Sequence, residues 1–150
     1  MTGAPTGAQA DRARVPQARV ERTLAAPPER VFAAWTDPAV LRRWFCPNPD
    51  LALDVEAEAR VGGRYRVDMG EGRFVAEGEY TELVPGRVVA FTWRWTTSDV
   101  VSAVRVELSP TPEGGTRLVL VHTGLADADD AQGHREGWEL SLARLEALDA

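Results

Sequence analysis

Two periods alternate along this chain. Leu51, Leu53, Val55 and Ala57 fall on one face with Asp54, Glu56 and Glu58 on the other, and Tyr65, Val67 and Met69 stand likewise opposite Arg64, Arg66 and Asp68. A period of two predicts half-buried strands, here joined by a turn through "ARVGG". With Ala57 facing Tyr65, Glu56 lies across from Arg66 and Glu58 across from Arg64, an outer-face charge pattern that fixes the register. "GRFVAEGEYTELVP" continues the alternation with Phe74 and Ala76 inward and Glu77 outward, and Gly78 predicts a bulge or a close backbone approach. "RVVAFTWRWT" sets Val89, Phe91, Trp93 and Trp95 on one side. "VVSAVRVELSP" aligns Ser102, Val104, Val106 and Leu108, and "TRLVLVHTG" aligns Thr116, Leu118, Leu120 and His122. Six consecutive strands with short turns predict an antiparallel meander.

The flanks read differently. "RVERTLAAP" is a first strand that stops at Pro27-Pro28, and Val31, Phe32 and Trp35 then share one face of a short helix. Asp37 is the N-cap of a second short helix with Pro38 at its first position, Leu41, Trp44 and Phe45 on one side, and Pro47 at its end. The last segment, "DADDAQGHREGWELSLARLEALDA", carries acids at its front and Trp138, Ser141, Leu142, Leu145 and Leu148 at helical spacing. An antiparallel sheet with one apolar face must bury it, and this helix offers the long apolar stripe. The expected fold is therefore α+β: a curved antiparallel sheet of about seven strands wrapped around a long C-terminal helix, with two short helices after the first strand. In that arrangement Trp35, Trp44 and Phe45 plug or line the mouth of a cavity between sheet and helix.

Composition narrows the class. A chain of 150 residues with 44% apolar and 27% charged positions suits one domain, expected over residues 19–150 behind a flexible tail, rich in Ala, Gly and Pro, over 1–18. All 17 basic residues are arginine against 23 acids, a formal charge of -6, and no basic run exceeds Arg42-Arg43. Nucleic acid and anionic membranes are thereby disfavoured as partners. One cysteine, Cys46, forms no internal disulfide, and no stretch approaches the roughly 18 apolar residues of a membrane helix. A cytoplasmic protein is expected.

"APPERVFAAWTDPAVLRRWF", "GGRYRV", "GEYTELVPGRVVAFTW", "GGTRLVLVHTGL" and "GWELSLARL" resemble, in order and spacing, the domain named for activators of the heat shock protein 90 ATPase, over residues 19–149. That domain belongs to the helix-grip superfamily of the birch pollen allergen, START domains and polyketide cyclases. The resemblance implies a hydrophobic cavity and a chaperone partner. Eukaryotic activators resemble two-domain proteins, whereas about 18 residues precede the match here.

For a small apolar ligand, the expected contacts are Trp35, Trp44, Phe45, Tyr65, Met69, Phe74, Trp93, Trp95, His122 and Trp138, plain core being the alternative for this set. His122, inward by strand phase, is the candidate acid or base of a cyclase-like, dehydratase-like or aromatase-like reaction; the bland alternative is a strand-end histidine bonded to backbone. His134 reads as a solvated residue ahead of the last helix, Arg42 and Arg43 as a solvated helix face that would otherwise meet a ligand carboxylate, and Cys46 as a small apolar filler. No nucleotide, zinc, calcium or serine-hydrolase motif is present, so neither cofactor nor metal is expected. Binding of a small apolar molecule ranks first, a chaperone regulator and a His122 enzyme follow, and a homodimer is left open.

Overall fold

Prolines and one aspartate set the start of the fold in the computed structural model, which describes residues 16–46, 48, 50, 51, 53–70, 72 and 74–148. Strand β1 (Gln17–Leu24) runs into helix α1 (Pro28–Thr36), where Pro28 occupies a first-turn position that needs no N–H. Helix α2 (Pro38–Trp44) follows without a break, because the Asp37 carboxylate accepts the Ala39 N–H at 2.9 Å. Most of the predicted flexible tail, residues 1–15, and Pro47, read as the end of α2, lie outside the described residues.

The meander is as predicted: β2 (Leu53–Ala57), β3 (Arg64–Met69), β4 (Val75–Val84), β5 (Val88–Trp95), β6 (Ser102–Pro110) and β7 (Thr116–Thr123). The sheet order β1-β7-β6-β5-β4-β3-β2 brings the first strand beside the last. Ala57 pairs with Tyr65 and Glu56 with Arg66, the register that the charge pattern demanded. Helix α3 (Ala128–Leu148) lies across the concave face and buries Trp138, Ser141, Leu142 and Leu145. Its start is held by two carboxylates: Asp127 accepts the Asp130 N–H at 2.8 Å as an N-cap, and Asp130 accepts the Ala126 N–H at 3.0 Å. Further along, the Arg144 guanidinium donates to the carbonyls of Cys46 at 2.7 Å and Arg43 at 3.1 Å, tying α3 to the end of α2.

Between them, α1 and α2 drive an aromatic knot into one end of the sheet. Trp35 and Trp44 are 1% and 0% exposed, with centroids 4.7 Å apart in an edge-to-face pair, and Trp35 also packs against Phe45, Phe91 and Trp138. Such pairs add about 1 kcal/mol each beyond their burial. Two polar ends are satisfied by backbone, Trp44 Nε1 donating to Ala34 O at 3.0 Å and Tyr80 Oη to Trp35 O at 3.2 Å, while Trp35 Nε1 is buried without a partner. Burial pushes the Tyr80 phenol up to about 12, so it stays a neutral donor.

One predicted facing is wrong. Phe74 is 53% exposed, ahead of β4 rather than within it, while Val75 and Ala76 are both buried. The inward phase predicted for β4 holds at Ala76 and Tyr80, but the strand begins only at Val75, after a turn in which Gly70 and Gly72 take φ of 127° and 84°, so Phe74 stands before the ladder and is not held to its alternation. Gly78 is a close approach: a Cβ there would lie 2.1 Å from Thr92 O, while the register itself shifts between Tyr80 and Glu82. Tyr65, paired with Gly78, is the inward ring at this point and donates to Thr92 O at 2.5 Å. Gly78→Ala is expected to lose about 2 kcal/mol or more, because strand backbone rather than a mobile side chain must give way; urea unfolding with an unchanged midpoint would contradict this.

Candidate functional site

Beyond the knot, the space between sheet and α3 stays open as a cavity of about 320 Å³. Phe45, Met69, Trp93, Trp95 and Trp138 form its apolar walls, and Gly133, Gly137 and Ser141 its helical side. Asp129, Asp130 and His134 complete the lining. A volume of this size lies at the lower end of those that hold small organic ligands. Next to it is a second hollow of about 390 Å³ that includes Ser98, Val100 and Ser102 and shares Trp93, Trp95, Asp130 and His134 with the first.

Two histidines stand at this end with ring centroids 4.9 Å apart. His122, on β7, is fully buried, and its Nδ1 lies 3.0 Å from Trp138 Nε1. An indole N–H only donates, so Nδ1 accepts and the ring proton sits on Nε2. That Nε2–H then donates to Ser102 Oγ at 2.7 Å, and the Ser102 hydroxyl donates to Trp93 O at 3.1 Å. Burial first, and the neighbouring His134 second, push the His122 pKa down to about 3. The ring is therefore neutral at physiological pH, and its tautomer is the wrong one to take the Ser102 proton. A serine–histidine nucleophile is not formed here.

His134 corrects the sequence reading. It lies in the second turn of α3, not ahead of the helix, and its side chain is 13% exposed rather than solvated. Trp95 Nε1 donates to its Nε2 at 3.2 Å, so Nδ1 carries the proton and faces Asp130 O at 2.9 Å. Its presence in the site could have been found from spacing: residues 134, 138, 141 and 145 share one helical face.

Of the predicted ligand contacts, Phe45, Met69, Trp93, Trp95 and Trp138 line the cavity. Trp35 and Tyr65 border instead a void of about 10 Å³, Trp44 is wholly within the core, and Phe74 is outside. His122 stands behind the Trp138 wall, bonded to side chains rather than to backbone. Arg42 donates to Val55 O at 3.0 Å and Arg43 borders a separate groove, so neither meets this cavity. Cys46 is 1% exposed and packs in the core. Gly133, Gly137, Ser141 and the two aspartates were missed, because an apolar stripe reports which face is inward and not how much of it is filled. Among the described residues no three metal-ligating side chains converge, and no helix is long and apolar enough to cross a membrane.

A family model described as Activator of Hsp90 ATPase homolog 1-like protein matches residues 25–149. The crystal structure of protein CV1439 from Chromobacterium violaceum is 35% identical with a TM-score of 0.80, over 89% of this chain and 96% of that one. DynU16, from the dynemicin biosynthetic locus, is 25% identical with a TM-score of 0.73, over 88% of this chain and 46% of its own. PFC0360w, an HSP90 activator from Plasmodium falciparum, shares the fold at 23% identity and a TM-score of 0.72, over 88% of this chain and 94% of that one. No curated protein matches the chain.

The state of His122 has a stability consequence. Its folded pKa is depressed to about 3, so between that value and the unfolded value near 6.5 the unfolded chain binds a proton that the native state does not. Stability is thus full above pH 6.5 and falls as pH drops, by up to about 1.4 kcal/mol per unit. Chemical unfolding at pH 6.5 and 5.5, above the range where carboxylates protonate, should show this slope in the wild type and a flatter one in His122→Gln. Equal slopes would contradict the assignment.

Proposed function

Because this chain belongs to the Activator of Hsp90 ATPase homolog 1-like family and leaves the space beside α3 open, we propose that it is a small-molecule-binding member of that family. The ligand is an apolar molecule held between the sheet and α3, against Trp93, Trp95 and Trp138. The observation that carries this reading is the pair Gly133 and Gly137. Each glycine inside a helix costs about 1 kcal/mol relative to alanine. Glycines in that position are usually explained by a close neighbour, yet a Cβ at either position would meet nothing within 4 Å. What the missing side chains leave is the cavity itself.

Contact with a heat shock protein 90-type chaperone is the second reading, supported by the family's description. Its check is the ATPase rate of such a chaperone with and without this protein. The enzyme reading loses support at His122, whose two ring nitrogens are both engaged and which does not line the cavity.

Titration with the uncharged fluorophore N-phenyl-1-naphthylamine tests the first reading. Saturable one-to-one binding is expected. Gly137→Ala should raise stability by about 1 kcal/mol through helix propensity while weakening the probe several-fold. Gly137→Leu should fill the space and abolish uptake with cooperative unfolding retained. A wild type that does not bind the probe, or binding indifferent to Gly137→Leu, would overturn the reading.

A further inference from the structure

The polar groups of the cavity say what kind of molecule it accepts, given the small-molecule reading above. Ser141 follows Gly133 and Gly137 at intervals of four on α3, so the three share one line along the helix. Ser141 lines the cavity and is only 4% exposed, and among the described residues its hydroxyl makes no hydrogen bond. That hydroxyl opens onto the cavity and is free to bond an acceptor placed there. Of the other polar groups of the lining, the Trp93 indole N–H is a second buried donor without a partner, and the rest are engaged or negative. Both ring nitrogens of His134 have partners, and the Asp130 carboxylate caps α3 and faces His134 Nδ1 at 3.2 Å. Asp129 is exposed and forms no ion pair among the described residues.

No arginine lines this cavity or the adjoining hollow. The positive end of α3 is offset by the carboxylates of Asp127, which accepts the Asp130 N–H, and of Asp129 and Asp130 in its first turn. An anion entering would lose hydration and gain like-charged neighbours. An uncharged ring with one hydrogen-bond-accepting group instead meets aromatic walls and gives Ser141 a partner.

We propose that the cavity selects uncharged, ring-bearing molecules whose carbonyl or similar acceptor bonds the Ser141 hydroxyl, and that Asp129 and Asp130 exclude carboxylates of the same shape. Three naphthalenes of matched outline separate these contributions by equilibrium dialysis at pH 7.5: 2-acetylnaphthalene, 2-isopropenylnaphthalene and 2-naphthoate. The ketone should bind most tightly and the carboxylate at least tenfold more weakly. Ser141→Ala should weaken the ketone about fivefold and leave the isopropenyl compound unchanged, and Asp129→Asn should narrow the gap between ketone and carboxylate. Carboxylate binding within threefold of the ketone, or an equal effect of Ser141→Ala on all three, would overturn this selectivity while leaving a small-molecule site standing. If none of the three binds, both readings fall.

Discussion

Where α3 lies on the sheet depends on one hydrogen bond, from the indole of Trp138 to Nδ1 of His122. The imidazole is fully buried, and a buried ring with an unmet acceptor costs about 1–3 kcal/mol. That requirement holds Trp138 at one height over β7. The Trp95 indole repeats the same contact to His134 one turn earlier in the helix, and Arg144 holds the opposite half through two carbonyls of the α2 end. The helix is thus pinned at three places by directional bonds. Between the first two pins lies Gly137, so the helix keeps its distance from the sheet there without side chains filling the gap.

The interior is accordingly divided. At one end Trp35, Trp44, Phe45, Tyr80 and Phe91 interlock, leaving a void of about 10 Å³. At the other, the walls are as aromatic but stand around some 320 Å³ of space. Phe45 and Trp138 belong to both ends, in edge-to-face contact with centroids 5.5 Å apart. The filled end acts as a stop: its interlocking rings cannot move into the cavity without breaking backbone hydrogen bonds made by Trp44 and Tyr80.

How much of this was legible in the sequence follows from what periodicity encodes. Strand alternation and paired charges fixed the β2–β3 register to the residue, because a slip of one position would have inverted every side chain. The same logic failed at Phe74, because alternation does not say where a strand begins, and β4 starts one residue later. In α3 the stripe through Trp138, Leu142 and Leu145 was visible as a face, but depth was not: Gly133 and Gly137 carry no hydropathy signal strong enough to say that the face is left unfilled. His134 went astray for a related reason. The acids before it read as a helix start, and the Asp127 cap begins the helix early enough to bring the ring inside.

The hydrogen-bond chain through His122 also bears on the proposed function. Each link runs in one direction: Trp138 donates to His122, His122 to Ser102, and Ser102 to the carbonyl of Trp93. The chain ends on an acceptor that has no proton to pass on. An acid or base must be able to exchange its proton with the reacting group, and a histidine locked between a permanent donor and a spent hydroxyl is arranged for the opposite purpose. It holds one tautomer, keeps Trp138 in place, and so gives the neighbouring cavity a rigid wall. For the molecule proposed above, a rigid aromatic wall beside the unpartnered Ser141 hydroxyl lowers the ordering that binding would require.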